Sequence, residues 1–380
     1  MCVPERERER ESYPRTRSVS RPRTFLDFGT TPRLFFQARS QDQLRITPGM
    51  IIRTVATTTP ATSLPSSVFN PARNQRTFDH TQTLRDRGFV VLDDDEWRLP
   101  TALVDDAKHA VLGEIDDLLS LVPRFGCDPL EQNYNFAEIC HRSRKRWDMR
   151  VPGEAVSALT SAAVQAALPV VLGLDQLPSH PDEGCVPLTR RIPAGKPRML
   201  MTGAIVSHPG ATAQRFHCDA DDDHLAWSSL LPRHRMYNVF VPLVDVQRDT
   251  QGTQFWPGSH HSLTRRPRYR AAMQRSGALE ADVAAMGAME APACRAGGLV
   301  VFDFRLMHRG LPNDTPQARP VAYAVLGRGG ARDGVNFPKL GLRDSVAAIE
   351  AEGLPADELE AFRRSVGGHF PGWASLPEAS

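Results

Sequence analysis

The chain has 380 residues, long enough to bury a large core, with 41% hydrophobic and 24% charged side chains, a balance that excludes a fibrous or wholly disordered protein. Its formal charge is +2, but residues 1–75 carry 12 Arg against 6 acidic residues, so the remainder is slightly acidic and no nucleic-acid partner is expected. The greasy stretches are short and interrupted, which argues against a membrane span, and the cysteines (Cys2, Cys127, Cys140, Cys185, Cys218, Cys294) form no metal or disulfide framework, which points to a reduced intracellular compartment.

Residues 1–75 read as an extension. A charge alternation from Glu5 to Glu11 gives way to Arg, Ser, Thr and Pro, a composition that buries too little apolar surface to offset chain entropy, so disorder is expected. Residues 12–75 hold nine Arg and two acidic residues, a bias compatible with an organelle transit peptide. A plain disordered extension, or a true start at Met50, would give the same composition. The expected location is cytoplasmic, or mitochondrial or plastid if the extension is a transit peptide; the peroxisomal Ser-Lys-Leu ending is absent.

A catalytic domain is expected over residues 76–335, with order beginning near Phe78. The stretch from Leu84 to Leu92 has the pattern of a helix end, a stop at Gly88 and a strand. Apolar residues Leu103, Val104, Ala107, Val111, Ile115, Leu118 and Leu119 predict a helix over 101–122, and 154–173 predicts a second. Strand-like runs follow at 198–206, 236–245, 298–306 and 320–327, separated by Gly, Pro, Asp and Asn. Helices first and strands later predict an α+β domain with its helices on one side of a β-sandwich or barrel. Residues 336–380 form a C-terminal helical extension, broken at Gly353-Leu-Pro355.

Chemistry enters at His217-Cys218-Asp219. On a strand, residues two apart share a face, so imidazole and carboxylate can meet at one ion. Taken alone the pair is better read as a solvated loop pair. His308 ends the apolar run Gly298 to Met307 and completes a two-His, one-carboxylate set, the signature of non-haem Fe(II) oxygenases. Of the three positions such a set leaves open, two suit the carboxylate and keto oxygens of 2-oxoglutarate and the third suits O2. Arg319 lies beyond a Pro312-Asn-Asp turn, and a hairpin there would bring the strand from Pro320 back alongside His308. Its guanidinium fork would then clasp the far carboxylate of the cosubstrate.

Other residues are weighed against plainer roles. His224, after Asp221-Asp-Asp223, fits an exposed acidic loop better than a ligand, and His260 and His261 belong to the Pro257-Gly-Ser turn. Cys218 should face away from the metal. Phe255, Trp256, Tyr237 and Asn238 are candidates for the pocket wall or for core packing, and the Arg265, Arg266, Arg268 and Arg270 cluster for a solvated loop or an anionic substrate.

Gln214-Arg-Phe-His217-Cys-Asp219, Trp256-Pro-Gly-Ser-His260, Gly298 through His308-Arg-Gly310, and Arg319-Pro320 together resemble the phytanoyl-CoA dioxygenase family, in that order. The likeness spans roughly residues 78–330 and takes in Gly88 to Leu92, Phe136 to Ile139 and Arg146-Trp-Asp148. It implies a double-stranded β-helix (jelly-roll, cupin-like) core with flanking helices, Fe(II), and 2-oxoglutarate and O2 as cosubstrates. By position it implies His217, Asp219 and His308 as metal ligands, Arg319 as the cosubstrate anchor, and Gln214 and Thr253 as further contacts to 2-oxoglutarate. Relatives that halogenate lack the carboxylate ligand, so Asp219 implies hydroxylation or desaturation of a small organic substrate. Two other readings are a barrel retained for binding or regulation without turnover, and a cupin-type metalloenzyme that does not use 2-oxoglutarate. Substrate identity and oligomeric state are not legible at this level.

Overall fold

A computed structural model describes residues 71–125, 128–130, 134–177, 197–220, 235–261, 288–328, 331, 337 and 341–352, all within the larger unit Ser67–Ser380. The extension up to residue 70, the segment Asp221 to His224, the Arg265 to Arg270 cluster and the chain beyond Glu352 lie outside the described residues.

Helix α1 (Pro71–Arg87) begins inside the segment expected to be extension. It stops where expected, at Gly88, whose φ of +83° suits glycine and whose N–H donates to Leu84 O at 2.9 Å. Strand β1 (Phe89–Leu92) follows, then α2 (Thr101–Leu121), a hairpin of β2 (Ile139–Ser143) and β3 (Arg146–Met149), and α3 (Glu154–Gly173). Next come β4 (Arg198–Ser207), β5 (Met236–Pro242), β6 (Thr253–Phe255), β7 (Leu299–Asp303), β8 (His308–Gly310), β9 (Arg319–Gly327) and α4 (Leu342–Glu352).

Seven strands form one antiparallel sheet in the order β1-β7-β5-β9-β4-β3-β2, and β6 pairs with β8 in a second, small sheet. Strand alternation divides the large sheet into two faces. Val90, Leu92, Val239, Val241, Val301, Ala322 and Val206 join the buried cluster that includes Val104, Val111, Ile115 and Leu118 of α2 and Leu159, Ala163 and Val170 of α3. Burying each aliphatic side chain of that size contributes about 1.5–3 kcal/mol. Phe89, Met236, Phe240, Val300, Phe302, Tyr323 and Val325 point the other way, into a separate cluster that includes Phe255 of β6. Phe89 stacks on Phe255 at 4.5 Å, so the two sheets face each other with the site-bearing space between them. This is the expected α+β architecture, a double-stranded β-helix core with helices on the outside.

Two expectations fail. His308 does not end the strand carrying Leu299: the chain turns at Phe304 to Leu306 and passes to the small sheet. The strand from Arg319 does not fold back as a hairpin on His308 but pairs with β4 and β5 in the large sheet. Its two faces explain this, since Ala322 packs in the helix-side cluster while Tyr323 and Val325 meet the interior. Among the described residues one stretch, Glu154–Gln176, is by length and composition alone apolar enough to cross a membrane. Its buried side, from Val156 to Val171, packs in the core.

Candidate active site

His217, Asp219 and His308, which could hold a metal ion, gather beside the small sheet, with His308 the first residue of β8. His217 forms a single bridge to His308 rather than a strand of its own: His217 N–H donates to His308 O at 2.9 Å and His308 N–H to His217 O at 2.8 Å. The two rings lie 4.5 Å apart between centroids. His217 Nδ1 is 2.9 Å from Arg215 O, and His308 Nδ1 is 3.0 Å from Leu306 O. A carbonyl only accepts, so each Nδ1 carries the proton and each Nε2 offers a lone pair. Both Nε2 atoms stand 3.7 Å from the Asp219 carboxylate, His217 facing Oδ1 and His308 facing Oδ2. One ligand atom from each of the three residues lies within 4.8 Å of the others. Burial, reinforced by His308, pulls the His217 imidazole down to about 4, so it is neutral near pH 7 as a metal ligand must be. Asp219 sits in a bend, and Asn238 Nδ2 on β5 donates to its Oδ2 at 2.7 Å. Two neutral imidazoles and one carboxylate on one side of a cation suit Fe(II) with open positions opposite.

Arg319 begins β9 beside Ser207 of β4, and Ser207 in turn pairs with Arg146 of β3. A row Arg146–Ser207–Arg319 therefore crosses the inner face of the large sheet. Arg319, 5% exposed, donates through Nη1 to Pro312 O at 3.0 Å and through Nη2 to Leu311 O at 2.8 Å. Arg146, 1% exposed, donates through Nε to Ser207 Oγ at 2.9 Å and through Nη2 to Leu311 O. Its Nη1 is buried without a hydrogen-bond partner among the described residues. Burial, with the Arg319 charge added, pulls Arg146 down to about 9, and burial pulls Arg319 to about 10 against the opposing pull of Asp314. Neither guanidinium has an ion-pair partner among the described residues. Two buried cations without an ion-pair partner are costly unless an anion joins them.

Arg146 has no role that sequence spacing reveals. Its neighbour in space is Gly310, where an added Cβ would stand 1.9 Å from Arg146 Nη1 and 2.6 Å from Gln214 Oε1. Gln214 Oε1 accepts from Gly310 N–H at 3.0 Å, and Thr253 of β6 pairs opposite Gly310. Gln214 and Thr253 thus both flank Gly310. On β8, Gly310 and His308 share a face about 6.8 Å apart, a spacing comparable with an extended five-carbon dicarboxylate.

The remaining candidates separate. Phe302 and Phe255 stand 5.0 and 6.2 Å from the His308 ring and close the space behind it with Phe240 and Tyr323. Tyr323 OH donates to Asp148 Oδ1 at 2.8 Å, and Arg142 Nη2 donates to Asp148 Oδ2 at 2.6 Å, a charged cluster that sequence spacing does not mark. Tyr237 packs with the helix-side core, whereas Trp256 packs with Phe216 and Met307 in a third cluster that Cys218 also touches. His260 is structural: Nε2 lies 3.0 Å from Arg85 O, and the ring lies against Gly88, where a Cβ would come within 2.5 Å of Nδ1.

The phytanoyl-CoA dioxygenase (PhyH) family matches residues 84–321. Among solved structures the chain is similar to the non-heme alpha ketoglutarate dependent epimerase SnoN from nogalamycin biosynthesis, at 16% identity over 68% of this chain and 82% of that one, with a TM-score of 0.42. It is similar too to the non-heme alpha ketoglutarate dependent carbocyclase SnoK from the same biosynthesis, at 14% identity over 73% and 90%, TM-score 0.41. AviO1 from Streptomyces viridochromogenes is matched at 18% identity over 67% and 96%, TM-score 0.43. The family match spans more than half of the chain and takes in His217, Asp219, His308 and Arg319 together: the protein belongs to the phytanoyl-CoA dioxygenase family, oxidoreductases that use Fe(II) and 2-oxoglutarate.

Proposed function

We propose that the protein is a dioxygenase that hydroxylates or desaturates a small organic substrate, lipid-like or a secondary metabolite, and releases succinate and CO2 from 2-oxoglutarate. In this reading His217, Asp219 and His308 hold the Fe(II), and Arg319 and Arg146 together hold the far carboxylate of 2-oxoglutarate. Held there, Fe(II) with 2-oxoglutarate would supply the O2-activating chemistry needed to oxidise an unreactive C–H bond. The protein's own part is placement. The two Nδ1–H bonds to Arg215 O and Leu306 O aim both Nε2 lone pairs at one point. Gly310 makes room for the Arg146 guanidinium, and Gln214 and Thr253 border the same cleft. Phe255 and Phe302, packed against His308 in one cluster with Phe240, would keep water from that side of the site.

The observation that carries this reading is the buried Arg146–Ser207–Arg319 row. A barrel kept only for binding, or a cupin-type metalloenzyme without 2-oxoglutarate, has no use for two buried guanidiniums that make no ion pair among the described residues beside His217, Asp219 and His308. Asp219 supports oxygenation or desaturation over halogenation, since it fills the position a halide would need. Fe(II) and 2-oxoglutarate added without O2 are expected to give a weak visible absorption band, and O2 then to give succinate. Arg319→Ala should raise the 2-oxoglutarate concentration needed for the band by roughly 10- to 100-fold, the loss of a charge-assisted contact. A folded protein that shows no band would overturn the proposal. Activity unchanged in Arg319→Ala and independent of 2-oxoglutarate would favour the cupin-type reading.

A further inference from the structure

The inner face of β5 presents Met236, Asn238 and Phe240 in alternation, and all three are buried. Across the sheet Asn238 stands opposite Phe302 on β7 and Val325 on β9. A carboxamide is therefore set in an apolar row, where burial without a hydrogen bond is destabilising. Its Nδ2 finds Asp219 Oδ2 at 2.7 Å.

Asp219 needs such a partner more than the two histidines do. His217 and His308 are each fixed twice, by the backbone bridge between them and by Nδ1 on a carbonyl. Asp219 lies in a bend outside any strand, with its side chain 22% exposed. Among the described residues, Asn238 is the one side chain that donates a hydrogen bond to it. The donor stands on β5, third in the seven-strand order and hydrogen-bonded on both sides by β7 and β9, so its place is set by the large sheet.

We infer that Asn238 is a positioning residue for the metal site: its amide fixes the Asp219 carboxylate from the opposite sheet and so completes the metal-binding set before metal arrives. The inference rests on the reading of His217, Asp219 and His308 as metal ligands. It goes beyond that reading in assigning metal affinity to a residue that cannot itself be a good ligand. Partners of a ligand in the surrounding shell commonly alter affinity by roughly 10- to 100-fold.

The test is Co(II) binding, titrated without O2 into the full-length chain and into Asn238→Ala, Asn238→Leu, Asp219→Ala and the Asp219→Ala/Asn238→Ala double variant. Leu matches Asn in size and suits the apolar row, so it keeps the test decisive if the Ala variant is poorly folded. Asn238→Leu is expected to weaken Co(II) binding roughly 10- to 100-fold, with metal-free thermal unfolding little changed. In the Asp219→Ala background the second change is expected to have no further effect, because its route to the metal is gone. Unchanged affinity in Asn238→Leu alongside weakened binding in Asp219→Ala would overturn this inference and leave the ligand assignment standing. An equal effect of Asn238→Ala with and without Asp219 would overturn it too. If Asp219→Ala binds Co(II) as tightly as the unaltered chain, the ligand assignment fails, and this inference with it.

Discussion

Gly310 has no side chain, and this admits the Arg146 guanidinium to the cleft beside Arg319. A single added methyl would stand 1.9 Å from Arg146 Nη1. Gly310→Ala is therefore expected to displace that group and remove one charge-assisted hydrogen bond to 2-oxoglutarate, raising its KM roughly 10- to 100-fold while Co(II) affinity is kept. An unchanged KM would remove Arg146 from the cosubstrate cradle. At this scale the sequence was informative unevenly. His217, Asp219, His308 and Arg319 are legible because their spacing is carried by a few chain segments. Arg146 and Asn238 are not, because each acquires its meaning from a cross-strand neighbour. Arg146 is one more Arg in an Arg-rich chain until Ser207 and Arg319 stand beside it, and Asn238 looks like core or pocket wall until Asp219 meets it.

The turn between β7 and β8 decides where His308 is delivered. Asp303 and Arg305 are 3% and 4% exposed and joined by Nε to Oδ1 at 2.8 Å and Nη2 to Oδ2 at 2.6 Å. Burial alone would raise the Asp303 carboxyl, but the Arg305 charge and its hydrogen bonds hold it far below the usual carboxylate range. Breaking such a buried pair from one side typically costs 3–5 kcal/mol, so Asp303→Ala should lower the urea midpoint by an amount corresponding to about that loss. Because His308 follows directly, Co(II) binding should weaken in parallel; a variant that loses stability but binds Co(II) normally would show that the turn does not aim the ligand. The run from Leu299 to Met307 hides this turn in sequence, since its apolar residues continue on both sides of Asp303. The segment before β9 misleads for a related reason. Pro312, Asn313 and Asp314 have the composition of a hairpin loop, yet Asn313 is fully buried and donates to Ser207 O at 2.8 Å, which ties the loop to β4 and sends the chain to the large sheet.

Across the whole molecule, the helices and long strands were legible because each has enough residues to show its period, as α2 and α3 do within a residue of their expected bounds. The two-sheet arrangement was not legible from periodicity, since β6 and β8 are three residues each and no three-residue pattern can announce a sheet. Their shortness has a further consequence. A two-stranded ribbon is marginal alone, whereas the large sheet is backed by three helices. The proposed metal ties the small sheet, through His217 and His308, to Asp219 and hence to Asn238 in the large one. Co(II) at a hundred times its Kd is expected to add about 2.7 kcal/mol of stability, with the gain absent in Asp219→Ala. Amide protons of β6 and β8 should exchange more slowly once metal is added, and those of β5 and β9 should be little affected. Protein lacking iron would accordingly open along its small sheet first and meet proteases there, so that the lifetime of the polypeptide, and not only its turnover of substrate, would track the supply of the metal.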